Sequence, residues 1–163
     1  MATDALIKTS FNVAEHECYS LLGENGADKT TCFKVLTKEV NRTSGSVELL
    51  GLDVERRLVS NEMGYCPQDD VLFDLLTVEE HLHFYARVRC LVNRTEHIDA
   101  LIDTLQLTNE RKKLSINLSG GNKRKLSVGI ALVGKPRLIL LDEPSTGVDP
   151  DARQHMWQTI GAF

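Results

Sequence analysis

The stretch Gly23-Glu24-Asn25-Gly26-Ala27-Asp28-Lys29-Thr30-Thr31 constrains this chain more than any other. It follows a short apolar run, Tyr19-Ser20-Leu21-Leu22, and leads into Cys32-Phe33-Lys34-Val35-Leu36. A strand, a glycine-bearing loop, a lysine, two hydroxyl residues and then a helix is the layout of a Walker A phosphate loop. In such a loop successive backbone N–H groups surround phosphate oxygens, and the helix N-terminus adds positive potential. On this reading the chain binds a nucleotide triphosphate. One position departs from the pattern GxxxxGK[ST], which has glycine where this chain has Asp28. The alternative is an ordinary strand-turn-helix connection with a chance Lys-Thr pair, and the rest of the chain decides between the two.

At 163 residues the chain is long enough for a single domain with one core. Hydrophobic residues at 42%, charged residues at 26% and only four prolines are those of a folded globular chain rather than a disordered or fibrous one. A net charge of −4 and a pI near 5.7 argue against binding nucleic acid by charge. Cys18, Cys32, Cys66 and Cys90 form no CxxC pair and have no histidine at ligand spacing, so buried or semi-buried free thiols are expected rather than a zinc site or disulfide framework. No apolar stretch approaches the ~18 residues of a membrane-spanning helix, so this segment is not expected to insert into a membrane.

In chain order, residues 6–13 alternate loosely and read as a strand, followed by a polar turn at 14–17 and a second strand over 18–22. Phe11 reads as core. A helix is expected over about 29–37, then a turn-rich cluster at 41–46, a strand Val47–Gly51 ending at its glycine, and Leu52–Val54. Residues 56–61 read as a short helix or irregular link, and 62–66 as a further strand closed by the polar loop Pro67-Gln68-Asp69-Asp70. Thr77 with Glu80 spells a capping box before a helix of about 78–89, with Leu82, Phe84, Tyr85 and Val88 as its apolar face. His81 and His83 lie two apart on that helix and share no face, which marks them as surface or satisfied-core residues rather than ligands. Ile98, Leu101, Ile102 and Leu105 give Arg94–Leu107 a packing stripe. Leu118-Ser119-Gly120-Gly121 precedes a helix over 122–132, whose Lys123, Arg124 and Lys125 read as an exposed basic run. Leu138-Ile139-Leu140-Leu141 is the continuous apolar run of a parallel strand buried on both faces, ending in Asp142-Glu143-Pro144. A turn over 145–150 and a helix over 151–160, with Met156, Trp157 and Ile160 inward, complete the chain.

Four motifs therefore stand in fixed order: the phosphate loop, Tyr65-Cys66-Pro67-Gln68, Leu118-Ser119-Gly120-Gly121-Asn122-Lys123-Arg124-Lys125, and Leu138–Pro144 with Ser145-Thr146-Gly147-Val148-Asp149. The ordered set resembles the nucleotide-binding domain of ABC transporters across nearly the whole chain. The spelling Met63–Gln68, Leu76–Leu82 and Gly120–Ser127 is similar to the A subfamily, associated with moving lipids. The resemblance implies an α/β fold of the phosphate-loop NTPase type: a mainly parallel sheet, a small antiparallel β part near the N-terminus and a helical subdomain over about 72–132. It implies ATP and Mg²⁺ as ligands, a second nucleotide-binding domain paired head to tail, transmembrane domains as partners, and a place on the cytoplasmic face of a membrane.

The resemblance also implies roles. Gly23, Glu24, Asn25, Gly26, Ala27 and Asp28 line the phosphates, Lys29 reaches the β- and γ-phosphates, and the Thr30 hydroxyl holds Mg²⁺ with Thr31 beside the α-phosphate. Asp142 holds Mg²⁺ through water, Glu143 orients and deprotonates the attacking water, and Gln68 touches both. Ser119, Gly120 and Gly121 act in trans on ATP held by the second domain, and Asp149 belongs to that interface.

Three departures shape further expectations. Asp28 places a carboxylate beside the phosphates; at ~5 Å and an effective dielectric of ~20 the repulsion is about 3 kcal/mol, roughly a hundredfold in affinity. A side chain there also strains the turn. The chain has no convincing adenine-stacking aromatic before the loop, and it ends before the family's switch histidine. These features suggest a domain truncated at both ends, of marginal stability alone because strand edges lack partners. They keep open a competing reading, a degenerate domain with weak or no ATPase activity that serves as a regulatory or interaction module. The ATPase heads of DNA-maintenance proteins share the Ser-Gly-Gly signature, but there a very long coiled coil separates the halves, and here Lys29 and Ser119 are only 90 positions apart with no sustained heptads.

Overall fold

The computed structural model describes residues 6, 9–24, 26–54 and 62–162. Ile7, Lys8 and Asn25 lie outside these residues, as does the expected link over 56–61. The chain divides into two compact units, residues 1–57 and 58–163.

In the first unit, the strands expected over 6–13 and 18–22 form no ladder among the described residues. The turn between them is present: the Glu17 N–H donates to the Ala14 carbonyl at 3.3 Å, and the Ala14 N–H donates to the Glu17 carboxylate at 2.8 Å. Phe11 is 41% exposed rather than core and stacks on Tyr19, with centroids 5.3 Å apart and planes 7° apart. Residues 9–20 are exposed throughout, and the two rings shed part of their surface against each other. Helix α1 runs Lys29–Leu36 and buries Cys32.

Strands β1 (Glu48–Leu49) and β2 (Leu52–Asp53) then pair antiparallel, Glu48 opposite Asp53. Leu50 and Gly51, expected at the end of a strand, instead form the two-residue turn, with φ of 54° and 75°. That double positive φ matches the strands' twist, and Gly51 adopts it without the cost Leu50 carries.

The second unit holds the main core. Strands β3 (Met63–Cys66) and β4 (Leu138–Leu141) pair in parallel, Met63 opposite Leu138 through Cys66 opposite Leu141. On β4 only Leu140 is buried, at 8% exposure; Leu138, Ile139 and Leu141 are half-buried. Helices α2 (Val78–Val88), α3 (Arg94–Thr104) and α4 (Gly120–Leu132) supply most of the packing, with Leu82, Ile98, Ile102, Leu126 and Leu132 at 0% exposure. Gly64 is required by close approach: a Cβ there would lie 2.0 Å from the Ala131 carbonyl oxygen, so β3 and α4 touch backbone to backbone.

The capping box forms as expected. Thr77 Oγ1 accepts from the Glu80 N–H at 3.2 Å, and the Glu80 carboxylate accepts from the Thr77 N–H at 2.8 Å. The buried stripe of α2 is Val78, His81, Leu82 and Ala86, whereas Phe84 and Val88 are exposed, at 43% and 60%. The helix packs on a line of i, i+4 and i+8 positions, and those two side chains project away from it.

His81 is a satisfied core residue. Its Nε2 accepts from the Phe73 N–H at 2.9 Å and its Nδ1 faces the Thr77 carbonyl at 2.8 Å, a pairing that only the neutral ring with a proton on Nδ1 completes. Helix α5 (Pro150–Gly161) starts at the cap Asp149, whose carboxylate accepts from the Ala152 N–H at 3.0 Å. It buries Ala152, Met156 and Thr159, so Trp157, one step round from Met156, is 44% exposed rather than core. Cys18 and Cys90 are exposed, Cys32 and Cys66 buried. Among the described residues no helix is long and apolar enough to cross a membrane.

Candidate functional site

The phosphate-loop residues belong to the first unit. The Ala27 N–H closes a turn on the Glu24 carbonyl at 3.1 Å, Gly26 takes a φ of 88°, and Asp28 follows at φ 56° and ψ 27°. Lys29 folds back over this turn, its Nζ donating to the carbonyls of Gly23 at 2.8 Å and Glu24 at 2.9 Å. The ammonium group is thus held by two carbonyls of its own loop, six and five residues before it in the chain.

The expectation that Asp28 strains the turn has a concrete form here: the backbone is left-handed at that residue, where glycine is costless and aspartate among the better tolerated alternatives. Asp28 precedes α1 without capping it, and its Oδ1 accepts instead from the Thr31 hydroxyl at 3.1 Å. Its carboxylate therefore stays within one turn of the helix's positive end.

In the second unit, β3 runs into Pro67 and Gln68, and β4 into Asp142 and Glu143. The last ladder bond joins the Asp142 N–H to the Cys66 carbonyl at 2.9 Å, after which the two chains part. Asp142 is 4% exposed, whereas Gln68 and Glu143 are exposed. Glu143 takes a φ of 49°, a left-handed break that turns its side chain out of the strand direction. Its Oε2 accepts from the Thr146 hydroxyl at 3.2 Å.

The basic run is not an exposed face. Arg124 and Lys125 are 2% and 8% exposed, and the Arg124 guanidinium lies between the Gln68 loop and the Asp142–Pro144 segment. The residue-type pattern of a charge run suggests solvation, but α4 is buried along most of its length and brings Arg124 against main-chain carbonyls of the two neighbouring segments. Sequence reasoning thus missed Arg124 and Thr146; the only signal for either was adjacency to a recognised motif. Cys66 lies in the same region, and burial pushes its thiol up to about 11, which removes it as a nucleophile at neutral pH.

Ser119 caps α4, its Oγ accepting from the Asn122 N–H at 3.3 Å, so Gly120 and Gly121 occupy the first helical turn. Among the described residues beyond the chain neighbours and the helix's own backbone, nothing lies within 4 Å of where a Cβ on Gly120 would be, and only the Gly147 carbonyl, at 3.8 Å, near one on Gly121. The helix start is an open surface with backbone N–H groups that helix geometry leaves without intrahelical partners.

The chain as a whole is similar to known proteins. The sequence model of the family described as "ABC transporter" matches residues 6–146. The chain is 48% identical over 160 residues to the rat protein "ATP-binding cassette sub-family A member 2", and 46% identical over 165 residues to the bovine "Retinal-specific phospholipid-transporting ATPase ABCA4". These alignments cover 96% and 98% of the chain but 7% of each relative, so the chain spans less than a tenth of their length. Among solved structures, the "ATP binding subunit of ABC transporter" is similar at a TM-score of 0.78 and 26% identity, over 86% of this chain and 60% of that one. At 21% identity, the dimeric post-hydrolysis state of the ATP-binding cassette MJ0796 bound to ADP and Pi shares the fold at a TM-score of 0.87, over 96% of this chain and 73% of that one. The α/β fold with its parallel β3–β4 pair, the ordered motifs and these matches together make the chain a member of the ABC transporter family, similar over most of its length to the ATP-binding domains of the A subfamily.

Proposed function

We propose that this chain binds and hydrolyses ATP, with Mg²⁺, to drive transport as the nucleotide-binding part of an A-subfamily transporter that moves lipid. The observation that carries the reading is the state of Lys29, whose ammonium is held by the carbonyls of Gly23 and Glu24 at the mouth of a helix. A cation presented in that way, beside the N–H groups of the loop, suits a multiply charged phosphate. Thr30, Gln68 and Asp142 offer a hydroxyl, an amide oxygen and a carboxylate, the hard oxygen donors that Mg²⁺ takes alongside phosphate and water.

In this reading Lys29 contacts the β- and γ-phosphates, Thr30 and Gln68 hold Mg²⁺, Asp142 does so through water, and Thr31 lies beside the α-phosphate. Glu143 accepts the proton of the attacking water, for which an exposed carboxylate already oriented by the Thr146 hydroxyl is suited. Ser119, Gly120 and Gly121 act in trans on a nucleotide held by a second such domain, for which the open start of α4 supports the assignment. Transmembrane domains are the mechanical partners, at the cytoplasmic face of a membrane. The lipid cargo rests on the relatives' names, among them "Phospholipid-transporting ATPase ABCA3" from rat and "Glucosylceramide transporter ABCA12" from human.

The test is equilibrium ATP binding by the intact protein and its Lys29→Met variant. Loss of a charge-assisted contact worth about 1.5–3 kcal/mol lowers affinity roughly ten- to a hundredfold. Equal affinities would end the assignment of Lys29.

A further inference from the structure

Beyond the residues that touch nucleotide, the second unit contains a buried guanidinium whose connections are all to the segments bearing Gln68, Asp142 and Glu143. Arg124 lies one turn into α4 with its side chain 3% exposed. Its Nε donates to the Pro144 carbonyl at 3.1 Å. Its Nη1 donates to the carbonyls of Pro67 at 2.7 Å and Gln68 at 3.1 Å, and to the Asp70 carboxylate at 3.2 Å. Its Nη2 donates to the carbonyls of Asp142 at 2.5 Å and Glu143 at 2.9 Å.

Five main-chain carbonyls from two segments thus converge on one planar group. The convergence occurs just past the last ladder bond, from the Asp142 N–H to the Cys66 carbonyl, where both chains leave the sheet and their carbonyls lose strand partners. Burying a guanidinium with a single partly exposed carboxylate as its ionic partner is costly, and fold stability alone is served as well by apolar packing. What the guanidinium provides that apolar packing does not is direction: five N–H groups in one plane, fixed at set angles to each other.

We propose that Arg124 is a positioning residue for hydrolysis, which holds the Gln68 and Glu143 backbones at a fixed separation and so sets where Glu143 meets the attacking water. The proposal rests on the ATPase reading above and names a residue that reading does not use. The left-handed break at Glu143 fits this role, because its carbonyl is one of those gripped and its side chain is aimed by the same peptide. Arg124 sets geometry for the chemical step, while nucleotide affinity depends on the phosphate loop.

The experiment compares the intact protein with Arg124→Lys and Glu143→Gln, recording kcat per bound nucleotide at saturating ATP, equilibrium ATP affinity and thermal unfolding. Lysine keeps the charge but presents one short cone of donors that cannot bridge both segments. The expected result for Arg124→Lys is kcat at least tenfold lower with ATP affinity within twofold of the unsubstituted protein. Unchanged kcat per bound nucleotide, in a protein whose hydrolysis depends on Glu143, overturns the positioning role and leaves the ATPase reading intact. Hydrolysis that does not depend on Glu143 overturns the assignment of Glu143 and this positioning proposal, whereas no hydrolysis by the unsubstituted protein at saturating ATP overturns the ATPase reading itself. Should Arg124→Lys bind no nucleotide, Asp70→Asn, at the edge of the cluster, carries the test. A two- to fivefold fall in kcat at constant affinity supports the proposal, and an unchanged kcat contradicts it.

Discussion

Asp28 is the residue at which this chain departs most from a phosphate loop, and the structure makes its effect specific. The backbone there is already left-handed at φ 56°, so Asp28→Gly requires no change of path, only loss of the carboxylate. With Asp28 turned toward the Thr31 hydroxyl, its charge stays near the end of α1 that a phosphate would use. Asp28→Gly is expected to tighten ATP binding roughly ten- to a hundredfold in a titration at physiological salt; equal affinities would remove Asp28 as a determinant. The position was legible in the sequence because a single letter broke a spaced pattern. Arg124 was not, because nothing in Lys123-Arg124-Lys125 says which cation faces the interior; that is decided by carbonyls at Pro67, Gln68 and Asp142–Pro144, far away in sequence. Trp157 and Phe84 were misplaced for a related reason, since large apolar residues beside a buried stripe look like part of it until the packing partner is known.

At the level of elements, helix α2 is held at its start by groups whose protonation is displaced. Hydrogen bonds and charge from Arg111 and Lys112 hold the Glu79 carboxyl down to about 2, from an ordinary value of 4.5. Arg111 Nη2 donates to Glu79 at 2.6 Å and to Asp99 of α3 at 2.5 Å, so this cluster ties α2 to α3. Burial lowers His81 below its usual 6.5, against the opposing pull of the Thr77 carbonyl and Glu80. The unfolded chain takes up protons more readily than the native one in both cases, so both contributions are present at neutral pH and lost on acidification. The His81 contribution fades first, as pH falls below 6.5, and the Glu79 contribution between 4.5 and about 2. Urea-unfolding midpoints followed against pH are expected to decline in those two windows, with Glu79→Gln removing the lower step alone; an unchanged lower step in that variant would dissociate Glu79 from acid stability. The capping box was readable from Thr77 and Glu80 because a cap depends on neighbours along the chain. The Glu79–Arg111 pair was not, because its partners are 32 residues apart.

Across the whole molecule, the order of motifs carried the family and most helix positions, while the first-unit strands did not appear as a ladder among the described residues. Ladders need a neighbouring strand, and alternation in one segment cannot supply it. The proposed chemistry gives the attacking water to Glu143 of the second unit. Its most direct test is phosphate release from bound ATP in a single turnover, compared between the intact protein and Glu143→Gln. Removal of a general base is expected to slow release about a hundredfold or more while ATP remains bound with unchanged affinity. Release at the unsubstituted rate in Glu143→Gln would contradict the assignment of that carboxylate and the ATPase chemistry built on it.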